Sequence, residues 1–109
     1  MLYSIVMQQR KGSLMTKPEI GNARRRLRRL ETRLAGIGPV MRGSVVRIGT
    51  RNKQFYFTLN KDKKTRLIYL GDKREPMARK LSGNYRKLVA IIEEMTVLNM
   101  TLLKNDLFE

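Results

Sequence analysis

The chain has 109 residues, with 24 Lys and Arg against nine Asp and Glu, a formal net charge of +15, and no Cys or His. That length fits one domain with a modest core, and the missing residue types exclude disulfides, the usual zinc sites and imidazole acid–base chemistry. No apolar run approaches a bilayer span, and the charge balance is that of a protein that meets a polyanion.

Residues 1–15 read as a flexible leader containing Arg10, Lys11, Gly12 and Ser13, with Met15 a second candidate start. The apolar stretch 2–7 has neither a basic n-region nor a small-residue cleavage site, so the expected compartment is cytoplasmic. Residues 16–109 are expected to form a single basic α+β domain.

Thr16 and Glu19 have the spacing of a capping box, and Pro18 falls in the first turn, where its missing N–H costs little. The helix they open carries Ile20, Ala23, Leu27, Leu30, Leu34 and Ile37 on a heptad seam, and Gly36, Gly38 and Pro39 stop it. Around that seam project Arg24, Arg25, Arg26, Arg28, Arg29 and Arg33, relieved only by Glu31. Guanidinium forks suit phosphate oxygens; the competing reading is the solvated flank of a coiled coil, although such flanks normally mix signs.

Between residues 43 and 70 the period changes to two. Val46 and Ile48 alternate with Arg47; Phe55, Phe57 and Leu59 with Gln54, Tyr56 and Thr58; Leu67 and Tyr69 with Arg66 and Ile68. Polar connections at 49–53 and 60–64 suit hairpins, which predicts a three-stranded antiparallel β-meander with a helix over one face. Phe55 and Phe57 are expected on the covered face, leaving Tyr56 as a lone free ring. The other face would show Tyr56 and Thr58 with the neighbouring Arg47 and Arg66, and the turns would add Arg51, Lys53, Lys61, Lys63 and Lys64. Either these residues read a nucleic acid, or the lysines guard sheet edges against aggregation.

Gly71 and Asp72 are expected to end the sheet, and Glu75 with Pro76 to open a second helix running to about Lys104. Met77, Leu81, Asn84, Leu88, Ile91, Met95, Leu98 and Leu102 form its seam, over about 43 Å. A small sheet cannot cover such a rod, so its far half must pack on the first helix, on a second subunit, or on both. Val89, Ile92, Val97, Met100 and Leu103 lie off the seam, and a helix apolar on most of its girth asks for burial there too. A homo-oligomer through Leu88, Ile91, Ile92, Met95, Leu98 and Leu102 is expected. Asn84 either fixes register or lies exposed, the second being the commoner outcome.

The charge is unevenly placed along the chain: residues 1–87 carry 23 of the 24 cations and net +18, whereas residues 88–109 net −3. Together these features predict an α-β-β-β-α chain whose helices pair as a coiled-coil-like hairpin and which binds nucleic acid, double-stranded DNA ahead of structured RNA. The alternative is a protein-interaction module working through the long helix. No catalytic residue, cofactor or metal is expected, since the acids are scattered and no Gly-rich phosphate loop is present.

Two segments also resemble a known family. Gly36, Ile37, Gly38, Pro39, Gly43, Ser44 and Val45, then Asn84, Tyr85, Arg86, Lys87, Leu88, Glu93, Glu94, Met95, Leu98 and Asn99, resemble small bacterial and archaeal proteins of unknown function often encoded beside transposases. The resemblance covers about residues 23–104. Its members usually carry a cysteine-rich insertion between the first two strands, where this chain has only Thr50, Arg51, Asn52 and Lys53. It implies an association with mobile DNA, with no mechanism attached; the alternative interaction module would take a transposase-like protein as its partner through the long helix. The segment from Val45 to Leu88 is also similar in pattern to the arm-type DNA-binding domains of tyrosine recombinases, an analogy of fold.

Overall fold

The computed structural model describes residues 14–107, so most of the expected leader lies outside the described residues. The element order is α1 (Lys17–Ala35), β1 (Ser44–Ile48), β2 (Gln54–Lys61), β3 (Lys64–Tyr69) and α2 (Gly71–Lys104). The strands form one antiparallel meander in the order β1-β2-β3. Two compact units result, one containing α1 up to Leu34 and the chain from Ile91 onward, the other Ala35–Ala90. Among the described residues no helix is long and apolar enough to cross a membrane.

In the helical unit, α1 begins as its sequence dictates. The Thr16 amide donates to Glu19 Oε1 at 2.8 Å and the Glu19 amide to Thr16 Oγ1 at 3.3 Å, which satisfies two donors that the first turn leaves without helical partners. The seam then buries Ala23 and Leu30, the latter wholly. Burial of a Leu side chain contributes about 2–3 kcal/mol. From α2, Ile91 and Leu102 are buried in turn. α2 ends in a Schellman arrangement: Asp106 adopts a positive φ of 57°, its amide donates to the Leu103 carbonyl, and the Leu107 amide donates to that of Leu102 at 2.9 Å.

In the sheet unit, Phe57, Leu70 and Ala78 form the core, and Met41, Val45, Phe55 and Leu59 pack around them. The β2–β3 hairpin is tighter than a five-residue connection. Lys61 pairs with Lys64, and the two residues between them, Asp62 and Lys63, both have positive φ, as a type I′ turn requires. That turn sets the register and places Ile68 across from Phe57 and Tyr69 across from Tyr56.

α2 starts earlier than expected. Gly71 turns the chain directly off β3 at a φ of +64°, where any side chain would crowd the Tyr69 ring, and Pro76 lies inside the helix. Asp72 in the first turn favours the helix dipole, and Pro76 forfeits only the bond to the Asp72 carbonyl near the open end. The helix has 34 residues, about 51 Å at the helical rise.

Residues 36–43 carry no regular secondary structure, yet they are tied to α2 at three levels. Asn84 Nδ2 donates to the Pro39 carbonyl at 2.9 Å, the Met41 amide to the Leu81 carbonyl at 3.1 Å, and Ser82 Oγ to the Gly43 carbonyl at 2.8 Å. Asn84 is therefore not an exposed polar residue: it is 8% exposed and Ser82 is 2% exposed. Both are buried because unpaired loop carbonyls under the sheet would be costly.

Candidate nucleic-acid interface

The six arginines of α1 divide by what they touch. Arg26 donates through Nε and Nη2 to the two oxygens of Glu94, with the Nη2 bond at 2.8 Å. Hydrogen bonding to this guanidinium is the main reason the Glu94 carboxyl sits below the ordinary carboxylate range, and the same bond raises Arg26. Arg26, expected as a phosphate ligand, is instead a strut between the helices of its unit. It sits beside the seam residue Leu27, where flanking charges of paired helices meet. Arg24 Nη2 donates to the Leu107 carbonyl at 2.9 Å, and Arg25 bonds Asn22 within the helix. Arg28, Arg29 and Arg33 form no ion pair among the described residues, although Arg33 is close enough to help lower the Glu94 carboxyl.

In the sheet unit, Arg47, Arg51, Lys53, Lys61, Lys63, Lys64 and Arg66 are all exposed, and none of them forms an ion pair among the described residues. They do not share the face expected of them. Directly paired residues of a ladder point to the same side. Arg47 pairs with Phe55 and Arg66 with Leu59, so both lie on the side of the core residue Phe57. The opposite side carries Val46, Ile48, Tyr56, Thr58, Leu67 and Tyr69, with no charge. Tyr56 is not a lone ring there: it meets Tyr69 edge-on at 5.5 Å, and the Tyr69 hydroxyl donates to Gln54 Oε1 at 3.2 Å.

Three further arginines of this unit are oriented by neighbours that the fold supplies. Arg47 and Arg79 both lie over the Phe55 ring, at 5.5 and 5.4 Å from its centroid, an arrangement that orients a guanidinium without neutralising it. Arg79 also pairs with Glu75 one turn before it. Arg86 Nη1 donates to Ser82 Oγ at 3.2 Å, and that hydroxyl is itself held by its bond to Gly43. Arg79, Ser82 and Arg86 line, with Ser44 and Val45, a hollow of about 250 Å³ between β1 and α2. The signal that could have found them is the spacing of three and four between Arg79, Ser82 and Arg86, one face of a helix.

The expected dimer seam is corrected as well. Ile91 and Leu102 are 2% and 3% exposed inside a single chain, and Met95 and Leu102 face Leu27 and Arg28 of α1 across a shallow groove. Leu88, Met95 and Leu98 are half-buried, and of the six expected residues Ile92 alone is exposed. Ile91 and Leu102 are thus buried within the helical unit, by the packing on the first helix that the sequence allowed beside a second subunit.

No protein-family model, curated protein or solved structure matches this chain.

Proposed function

We propose that this chain binds nucleic acid through its phosphate backbone, with double-stranded DNA the preferred form. The observation that carries the reading is that the charge stays uncompensated on folding. Of the 24 Lys and Arg in the sequence, all but Arg10 and Lys11 lie among the described residues, and these form two ion pairs, Arg26–Glu94 and Arg79–Glu75. Like charges left unpaired oppose compaction, and they are best accounted for by a partner that supplies phosphates.

Within the sheet unit, Arg86 and Arg79, the latter also paired with Glu75, line a hollow of about 250 Å³ beside the Ser44 and Ser82 hydroxyls, and Arg47 lies over the same Phe55 ring as Arg79. Preoriented guanidinium forks lose less entropy when they meet an oxyanion. The exposed lysines of the two hairpins and Arg28, Arg29 and Arg33 of α1 add charge with no base reading of their own.

The test is a titration of labelled duplex DNA at several salt concentrations. Neutralising five to eight phosphates gives a slope of log affinity on log salt of roughly −5 to −7. Replacing Arg79 and Arg86 by Gln makes that slope shallower by about one for each phosphate that is no longer neutralised. A flat salt response rejects the proposal, and preferential displacement by duplex RNA at fixed salt reassigns the preferred form to RNA.

A further inference from the structure

The distal half of α2 has a second apolar face that the described residues leave open. Ile92, Val97, Met100 and Leu103 are exposed, the last three at 63%, 60% and 65%, while Ile91 and Leu102 on the other side of the helix are buried. At 100° per residue, Ile92, Thr96, Met100 and Leu103 form one stripe, and Glu93, Val97 and Lys104 lie along one border of it. This stretch also belongs to the one net-acidic part of the sequence, so a polyanion is the wrong occupant for it.

We infer that this stripe pairs with the same stripe of a second copy of the chain, in antiparallel orientation about a two-fold axis level with Leu98. The orientation follows from charge. In a parallel pair the two-fold axis runs along the helices and sets this border on opposite sides of the contact, so Glu93 and Lys104 do not meet. In the antiparallel pair Thr96 faces Met100 of the second copy, Ile92 falls level with Leu103, and Glu93 lies beside Lys104. Symmetry makes each contact twice, and both ion pairs flank the apolar contact on one side, as charges flank a helical interface. Glu93 has no ion-pair partner among the described residues of its own chain. The helical seam buried against α1 stays intact in this arrangement, because the pairing uses the opposite face. The inference does not rest on the proposed binding of nucleic acid.

The experiment is sedimentation equilibrium of the full chain without nucleic acid at about 0.15 M salt, with helicity checked by circular dichroism. The wild-type chain sediments as a dimer, and Met100→Glu raises the dissociation constant at least about tenfold. Glu93→Lys alone weakens the dimer by setting Lys against Lys104, and Glu93→Lys with Lys104→Glu restores it. Glu93 is exposed and Lys104 is half-buried in the last turn of α2, so circular dichroism of each charge variant separates lost pairing from lost helix. A monomeric wild-type chain, a dimer indifferent to Met100→Glu, or a double charge exchange that fails to restore what Glu93→Lys removed would each overturn the inference.

Discussion

The two units hold themselves together in different ways. The sheet unit relies on fits with no slack: a phenyl ring against a glycine, a tight turn with two left-handed residues, and buried Ser82 and Asn84 holding loop carbonyls. The helical unit relies on aliphatic side chains in a seam, a bidentate ion pair and end caps, each of which tolerates small displacement. The first kind of stability is specific and brittle, and the second is graded. Substitutions of similar severity should therefore produce effects of different kind in the two places.

The largest effect is expected at Gly43. Its φ is +137°, and a Cβ there would lie 2.5 Å from Phe57 Cζ and 2.6 Å from the Thr58 carbonyl oxygen. Gly43→Ala should destabilise the sheet unit by about 3 kcal/mol or more, read as loss of hydrogen-exchange protection in β1 and β2. An effect under about 1 kcal/mol would remove the brittle half of the comparison. Next is Leu30→Ala, which empties a fully buried position and should cost about 3 kcal/mol. Urea unfolding followed by circular dichroism measures it, and protection should fall in α1 first.

A third test uses pH. Glu94 is lowered chiefly by its hydrogen bond to Arg26, and Glu19 chiefly by the Thr16 amide. A folded-state pKa below the ordinary 4.5 means that stability is fully present above that value and is lost as pH falls through the folded one. The wild-type urea midpoint should drop more between neutral and acid pH than that of Glu94→Gln, and equal drops would deny the ion pair a share in stability. The smallest effect is a gain. Lys63→Gly relieves a left-handed non-glycine residue, and should stabilise the hairpin by up to about 1 kcal/mol in the same assay.

The element order, the capping box of α1 and the meander were legible because each has a local signal: a spacing of three between Thr16 and Glu19, alternation around Phe55 and Phe57, and polar residues between strands. The face of β3 was not. Leu67, Ile68 and Tyr69 are apolar at consecutive positions, so period alone cannot orient them, and the two-residue turn at Asp62 and Lys63 decides instead. The side of Arg47 was hidden for the same reason, since Val45, Val46 and Ile48 allow either phase. The start of α2 was obscured by Pro76, whose place in a first turn is the ordinary expectation. The burial of Asn84 is not legible because its partner is a carbonyl 45 residues away, and backbone acceptors leave no mark in a sequence.

For the candidate interface, net charge was visible from composition, but which cations are spent internally depended on tertiary packing. Arg26 differs from Arg28 and Arg29 by reaching Glu94 of α2, a neighbour that only tertiary packing supplies. Arg79 and Arg86 gain their fixed orientation from Phe55 and Ser82, neighbours supplied by the fold.

The three ties between residues 36–43 and α2 set limits on change in chain length. A residue added or removed there would shift Pro39, Met41 and Gly43 out of step with Asn84, Leu81 and Ser82, so this irregular stretch should accept no insertion. The β1–β2 connection, exposed from Gly49 to Lys53, has no such ties to α2, and an inserted segment or a reporter peptide belongs there.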